Sequence, residues 1–229
     1  MKIEILEEVN STNDYIKRYL SSGEDRIVCA IRQTGGKGTK GRSFLSGEGG
    51  VYLTALNFYR GFFAKDAFLI MAHAATAVCK TAEHFKLTPE IKWPNDVYLS
   101  GKKLAGILVE NILEADQLKA SLIGIGLNVS NHLEELSGIA ISLSEAVGRK
   151  IQVDEAREQL IKNLQNGDTF DDYLERVRFL GKNVFVVEHD SSYPAKALEI
   201  CSDGRLKVER EGAVACLSAA EISLKIDAK

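Results

Sequence analysis

The spacing of apolar and polar residues divides most of the chain into strands and helices. Residues 2–7 alternate as a strand with one exposed face, and residues 26–31, 51–58 and 117–129 form strand-like apolar runs. Helical spacing follows the capping residues Ser11-Thr12-Asn13 and recurs over residues 65–87, 154–164 and 170–180. The pattern therefore predicts a chain in which strands and helices are mixed.

From residue 181 onward the pattern changes to short strands alone. Turn residues at Ser202-Asp203-Gly204 and Glu211-Gly212 separate some of the segments, which read NVFVVE, PAKALEI, RLKVER, AVACL and EISLKI. Five short strands in so short a stretch predict a small closed barrel of the SH3 kind. We place a domain boundary near residue 180, which gives domains at 1–180 and 181–229.

A glycine loop occupies residues 33–50, with seven glycines in eighteen positions and no periodicity. A connection of this length is usually functional or disordered. It contains a dinucleotide-type GxGxxG motif at residues 36–41 and, at 36–43, comes within one residue of a Walker A loop. Both motifs need a helix to follow, because the phosphate binds at the helix N-terminus. Here more loop and a strand follow, so we favour neither motif.

The chemistry of the loop nevertheless suits a phosphate. Glycines leave backbone N–H groups free for close approach, and Lys37, Lys40 and Arg42 supply positive charge. The alternative is a flexible surface loop with incidental charge.

A predicted β-hairpin, IKWPNDVYLSGKKLAGILVE at Ile91–Glu110, carries the second concentration of functional groups. Ser100-Gly101 supplies the turn between its strands at 97–99 and 104–109. A lysine that enters an apolar strand, such as Lys103, can be simple edge protection. Here a carboxylate, a carboxamide and an indole lie nearby, and this set can hold a phosphate, a metal ion and a planar ring.

Composition excludes several classes of protein. The net charge of the 229 residues is −3 with a pI near 5.9, so no global basic footprint for DNA or a membrane surface exists. The four cysteines form no CxxC pair and lie in apolar surroundings, which predicts buried free thiols and a reducing compartment. Acids interrupt the N-terminus where a signal peptide needs an apolar core. We therefore expect a cytoplasmic protein.

Several segments, taken in order, resemble the biotin protein ligase family, the biotin–[acetyl-CoA-carboxylase] ligases. They are Ser11-Thr12-Asn13, Gln33-Thr34 with the glycine loop, KWPND at 92–96, KLAGIL at 103–108, GIGLN at 124–128 and the terminal EISLK. KWPND followed by KLAGILVE is highly specific. The resemblance implies an α+β fold: a mixed sheet flanked by helices, related to class II aminoacyl-tRNA synthetases and lipoate ligases, with a C-terminal SH3-like barrel.

The resemblance also implies the short form of the enzyme, without an N-terminal DNA-binding domain and without DNA as a partner. The implied reaction activates biotin with ATP to biotinyl-5'-AMP. The biotinyl group is then transferred to a lysine of the biotin carboxyl carrier protein of acetyl-CoA carboxylase. A homodimer is left open.

Site residues follow from the same resemblance. The catalytic pair is Lys103 and Asp96. Mg²⁺ enters with ATP and without a dedicated protein cage, with Asp96 as the candidate side chain. Biotin is expected at Ser11, Thr12, Asn13, Gln33, Gly36, Lys37, Gly38, Thr39, Lys103 and Gly106. ATP and the adenylate are expected at Lys37, Lys40, Arg42, Phe44, Trp93, Asn95 and Asn128.

One departure from the family pattern affects this expectation. Family members usually carry GRGRRGR followed by Trp, whereas this chain has GKGTKGR followed by Phe44. Lysine lacks the bidentate fork of arginine, and Thr39 removes one cation. We expect looser retention of biotinyl-AMP.

Two alternatives to a biotin ligase are left open: a lipoate or octanoate ligase, and a non-catalytic biotin-binding regulator.

Overall fold

A seven-stranded mixed sheet forms the centre of the protein. The computed structural model describes residues 1–188, 191–219 and, for the backbone, 222–225. The strand order is β1-β2-β3-β7-β6-β5-β4; β1 and β2 are parallel and the other neighbours are antiparallel. The strands are β1 (Lys2–Val9), β2 (Arg26–Gln33), β3 (Gly50–Phe58), β4 (Glu90–Lys92), β5 (Asp96–Leu99), β6 (Lys102–Glu114) and β7 (Gln117–Asn128).

Helices cover the two faces of this sheet unequally. One face meets the large core, in which α2 (Phe68–His84) packs on β6 and β7 and α4 (Val153–Leu164) packs on β3. The other face has a small core of Ile16, Val28 and Leu56 under α1, which leaves part of that face open. The helices are α1 (Thr12–Ile16), α2 (Phe68–His84), α3 (Leu143–Val147), α4 (Val153–Leu164) and α5 (Phe170–Leu174).

The predicted helix at 170–180 is wrong beyond Leu174. The backbone carbonyl of Arg176 accepts a hydrogen bond from Ile91 N at 2.9 Å, and Val177 and Phe179 are buried in the core. Just after Leu174, the N–H groups of Arg176 and Val177 bond to the carbonyls three residues earlier, at 3.1 Å and 3.0 Å, so the chain tightens into a turn and the i→i−4 ladder ends. The other predicted helices and strands are present with ends shifted by a few residues.

The C-terminal part forms a second, antiparallel sheet of the five predicted strands. These are β8 (Asn183–Glu188), β9 (Ser191–Ile200), β10 (Leu206–Arg210), β11 (Ala213–Leu217) and β12 (Ile222–Lys225), in the order β11-β10-β9-β8-β12. Within the described ranges β11 and β12 are the two edges and do not pair with each other. Closure into an SH3-like barrel therefore stays a prediction.

The cysteines are less uniformly buried than predicted. Cys29 and Cys79 are buried, and burial raises the pKa of the Cys29 thiol to about 11. Cys201 is half-buried and Cys216 is exposed, because β11 is an edge strand. All four are free thiols. No helix in the described part of the chain is long and apolar enough to cross a membrane.

The two sheets meet at an aromatic junction. Trp93 is buried, and its indole N–H donates to the carbonyl oxygen of Gly204 at 2.9 Å. Phe68 of α2 packs edge to face on Tyr173 and lies directly against Gly204. Gly204 has φ +86° and is buried, so the turn between β9 and β10 needs glycine for both its backbone and its packing.

We expect Gly204→Ala to lower the free energy of unfolding by about 2–4 kcal/mol. Left-handed strain costs about 1 kcal/mol, and overlap of the new methyl group with the Phe68 ring adds a further ~1–3 kcal/mol. The matched control is Gly212→Ala, which has φ +80° but open space around it and should lose only about 1 kcal/mol. Urea unfolding measures both. Equal losses would show that the packing of Phe68 does not constrain this turn.

Candidate active site

Three glycines keep the middle of the central sheet free of side chains. Gly106 of β6 is paired with Gly126 of β7, and Gly124 lies two residues before Gly126 on the same face. An added Cβ would overlap Asn13 at Gly124 and the Phe44 ring at Gly126. At Gly106 it would lie 3.1 Å from Lys103 Nζ. These glycines form the floor of a cleft of about 210 Å³, the first cleft.

One end of the first cleft is lined by fixed polar groups at the start of α1. Both the backbone N–H and the hydroxyl of Thr12 donate to Gln33 Oε1, at 2.8 Å and 3.1 Å. The buried Thr54 hydroxyl lies 2.6 Å from Asn13 Oδ1 and 2.8 Å from Thr12 Oγ1. Ser11 is 2% exposed and also lines the cleft. Hydroxyls and carboxamides held in this way can pair with the donors and acceptors of a small polar ring.

Lys103 lies near the start of β6 and is held from both sides of its backbone. Its N–H donates to Ile139 O at 2.8 Å, and its carbonyl accepts from Ile141 N at 3.0 Å. The pairing of β5 with β6 shifts register beside it, so Leu104 is an extra residue, as in a β-bulge. Lys103 Nζ lies 2.7 Å from Asp96 Oδ1 at the edge of the first cleft. The lysine is therefore a cation on a rigid strand.

Asn95 orients Asp96 and links both residues to β6. Its backbone carbonyl accepts from Ile107 N at 2.9 Å, and its side-chain amide donates to Ile107 O at 3.0 Å. The same amide lies 3.3 Å from Asp96 Oδ1. Asp96 thus carries two donors on one oxygen, Asn95 and Lys103, which fixes the direction of the carboxylate.

A second cleft of about 650 Å³ adjoins the first. Thr39, Arg42, Asn95 and Leu108 line both, so the two clefts open onto each other. The second has an apolar wall that includes Phe68, Met71, Trp93 and Pro94.

Positive charge predominates where the clefts meet. Lys92 is half-buried, and burial lowers the pKa of its amine; Asp96 opposes this shift, while Lys103 and Arg42 add to it. Three cations therefore surround one carboxylate. A site of this composition favours an anion over a cation.

The glycine loop is folded as a small hairpin, residues 36–44, which we call the glycine hairpin. Phe44 N donates to Gly36 O at 2.9 Å, and Gly38 N donates to Arg42 O at 2.6 Å. At the tip, Arg42 donates to the backbone and hydroxyl oxygens of Thr39 at 3.2 Å and 3.1 Å. The ring of Phe44 lies over the glycine floor and against Tyr52. The hairpin therefore covers the first cleft.

Most of the predicted site residues converge on the two clefts. Lys40, Trp93 and Asp96 line the second cleft only. Gly36 and Asn128 line neither: Gly36 packs under the hairpin against Ser46, and the Asn128 side chain donates to the Lys103 carbonyl from behind. The remaining ones line the first cleft: Ser11, Thr12, Asn13, Gln33, Lys37, Gly38, Thr39, Arg42, Phe44, Asn95, Lys103 and Gly106.

Sequence reasoning assigned no role to four residues of the site. Gly124 and Gly126 complete the glycine floor, Thr54 holds the start of α1, and Lys92 adds charge. GIGLN carried a usable signal, since glycines at a spacing of two must share one face of a strand. Thr54 carried no such signal, because its role depends on the packing of α1 against β3.

No cluster of three His, Cys, Asp or Glu side chains with the geometry of a metal site occurs within the described ranges. Asp96 is the acidic side chain where the clefts meet, and its Oδ1 is engaged by Lys103 and Asn95. A divalent ion here would be held mainly by its own ligand rather than by the protein.

The chain is similar to known proteins of one family. The family described as "Biotin/lipoate A/B protein ligase family" matches residues 5–128. A Bacillus subtilis "Bifunctional ligase/repressor BirA" is 30% identical over 218 residues, which cover 88% of this chain and 66% of that protein, just under two thirds of its length. A Mycobacterium tuberculosis "Biotin--[acetyl-CoA-carboxylase] ligase" is 25% identical over 239 residues. The alignment covers 96% of this chain and 88% of that protein.

Among solved structures, a biotin protein ligase from Aquifex aeolicus in complex with biotin and ATP has a TM-score of 0.77. Its sequence is 25% identical, and the superposition covers 99% of this chain and 99% of the Aquifex chain. The family match extends from β1 to the end of β7 and includes the glycine hairpin, KWPND and the glycine floor. Since this match spans more than half of the chain, the protein belongs to the biotin/lipoate A/B protein ligase family.

Proposed function

We propose that this protein is an ATP-dependent biotin ligase. It activates biotin as biotinyl-5'-AMP and transfers it to a lysine of the biotin carboxyl carrier protein of acetyl-CoA carboxylase. The observation that carries the proposal is the position of Lys103, on a rigid strand where a polar, glycine-floored cleft meets a cationic one. The similar Aquifex protein binds biotin and ATP together, and the Mycobacterium protein is named for the carboxylase.

Biotin fits the first cleft in one orientation. Its ureido group needs both donors and acceptors, which Thr12, Asn13 and Gln33 supply at the buried end. Its ring and valeryl chain need a smooth apolar path, which the glycine floor provides. The carboxylate then points to Lys103.

The first step forms a bond between a biotin carboxylate oxygen and the α-phosphorus of ATP, and the bond from that phosphorus to the β-phosphate oxygen breaks. Pyrophosphate leaves with the electron pair. Negative charge is concentrated at the carboxyl–phosphate junction, where Lys103 is placed, with Arg42 and Lys92 near the phosphates. Positioned positive charge lowers such a barrier most when water is excluded, and the glycine hairpin supplies that cover.

ATP carries Mg²⁺, which neutralises its phosphates. Asp96 and Asn95 are the side chains placed to hold water on that ion.

In the second step, the ε-amine of the acceptor lysine attacks the carbonyl carbon of the mixed anhydride. The bond to the phosphate oxygen breaks, AMP leaves, and an amide remains. The amine loses its proton, and Asp96 is the carboxylate placed to take it. Asp96 lines the wider second cleft, which offers the acceptor side chain a way in.

The proposal includes a division of the chain into two domains. Residues 1–180 form the catalytic domain, and 181–229 form an appended domain that closes into an SH3-like barrel. A homodimer and a cytoplasmic location also stay predictions.

Lys103→Ala should fold normally and lose activation of biotin. We expect ATP–pyrophosphate exchange with biotin to fall by about 10²–10³-fold, the effect of removing one transition-state charge contact. Lys102→Ala is the matched control, because Lys102 is bound to Glu145 outside both clefts and its loss should leave exchange unchanged. Normal exchange in Lys103→Ala would remove the central assignment.

Substrate choice is tested with biotin and lipoate side by side. We expect exchange with biotin and little with lipoate or octanoate, because neither the dithiolane ring of lipoate nor the alkyl chain of octanoate carries a ureido group that could pair with the polar end of the first cleft. Labelled biotin should then appear on a purified carrier domain in the presence of MgATP. Exchange with lipoate alone would assign the other ligase activity, and biotin binding without transfer would indicate a regulator.

The protein should retain biotinyl-AMP only weakly, and an added cation should strengthen the retention. Arg42 is engaged by Thr39 within the hairpin, so fewer cations face the phosphates than the loop composition suggests. Thr39→Arg adds one charge-assisted contact and should lengthen the lifetime of bound biotinyl-AMP on a desalting column about tenfold. Thr39→Gln adds length without charge and should not. Wild-type protein that already retains the adenylate as tightly as an arginine-loop homologue would contradict this expectation.

A further inference from the structure

The stem of the glycine hairpin is tied to α1 by an ion pair. Lys37 Nζ lies 2.6 Å from Asp14 Oδ2. Lys37 lines the first cleft, while Asp14 lies just beyond it in the first turn of α1. The hydrogen bond from Lys37 is the largest of the effects that hold the pKa of Asp14 below its usual range.

Further charged side chains connect this ion pair to β6. The other oxygen of Asp14 lies 3.4 Å from Lys17 Nζ, and Lys17 lies 3.2 Å from Glu110 Oε1 on β6. Glu110 Oε2 accepts from the Asn13 side chain at 3.1 Å. The hairpin, α1 and β6 are therefore connected around one rim of the first cleft.

Lys37 stands where the usual loop pattern has an arginine. The ammonium of a lysine is a single point charge on a flexible stem, so its position is less restricted than that of a guanidinium. A carboxylate at 2.6 Å restricts that freedom before any ligand has entered. Two backbone hydrogen bonds also join the two sides of the hairpin stem, Phe44 N to Gly36 O and Gly38 N to Arg42 O. A tether at Lys37 acts directly on the strand pair that carries both.

We propose that Asp14 is a positioning residue, which holds the glycine hairpin over the first cleft through Lys37 and so prepares the biotin site before ligand binds. The inference deepens the proposed function, since it concerns biotin at the same cleft. Part of the ordering entropy of the hairpin is then already lost in the free protein, so biotin binding costs less.

Hydrogen exchange of the ligand-free protein tests the tether directly. In Asp14→Asn the amides of Gly38 and Phe44 should exchange about two- to five-fold faster, the range that an exposed ion pair supports. Asp154→Asn is the matched control: it removes a carboxylate paired with Arg157 at 2.7 Å in the first turn of α4, far from the hairpin. Lys17→Met removes the other partner of Asp14 and should not speed exchange.

Two further readouts separate positioning from a merely structural role in α1. In a Lys37→Met background, Asp14→Asn should have no added effect on the exchange of these amides. Salt near 1 M, where charges are screened within about 3 Å, should loosen the wild-type hairpin and leave that of Asp14→Asn unchanged.

Kinetics give the functional consequence. Asp14→Asn should raise KM for biotin about two- to five-fold with kcat unchanged, because the hairpin closes normally once biotin is bound. Unchanged amide exchange, additive effects with Lys37→Met, or a loss in kcat alone would overturn the proposal. If the wild-type enzyme shows no biotin-dependent ATP–pyrophosphate exchange, the proposed function is overturned instead. Hydrogen exchange of the ligand-free protein would then still decide the role of Asp14.

Discussion

The cleft exists because three backbone positions at the centre of a sheet carry no side chain. A sheet face that is open to water normally covers itself with the side chains of its own strands. Gly106, Gly124 and Gly126 remove that cover where β6 and β7 pair, so the surface must be completed by something else. The Phe44 ring of the glycine hairpin provides that cover.

The hairpin and the floor therefore form one unit rather than two motifs. A Cβ at Gly106 or Gly126 would press on Phe44, whereas one at Gly124 would press on Asn13. A displaced Phe44 would in turn strain the hydrogen bond from its N–H to Gly36 O in the hairpin stem. The end of the cleft at Lys103, the proposed reacting end, is built differently. Lys103 is held by its own backbone contacts to residues 139–141, and its charge is oriented by Asp96. Fixed polar groups at one end of the covered cleft and a rigid cation at the other suit the proposed reaction, in which charge develops at one point.

Local sequence predicted much of the fold, but contacts between distant segments decided the rest. The apolar pattern placed β1 to β3, β5 to β7 and three of the helices, because most of these elements carry apolar residues of the core. It placed the end of α5 wrongly, since the carbonyl of Arg176 pairs with Ile91, far away in sequence. Lys103 and Gly106 were identifiable from KWPND and KLAGIL. Thr54 and Asp14 were not, because each acts through a partner that only the packing of α1 brings near. Cys216 seemed apolar in context, yet it lies on an edge strand.

The indole hydrogen bond from Trp93 to Gly204 makes the two sheets interdependent in evolution. The donor belongs to the KWPND motif, which contains Asp96, and the acceptor lies in a turn of the C-terminal sheet. A homologue that exchanged its C-terminal part for an unrelated domain would have to supply a carbonyl and a glycine-like turn at this point, or leave a buried N–H without a partner. The KWPND motif and the C-terminal sheet are thus expected to be inherited together, although only KWPND lies at the proposed active site.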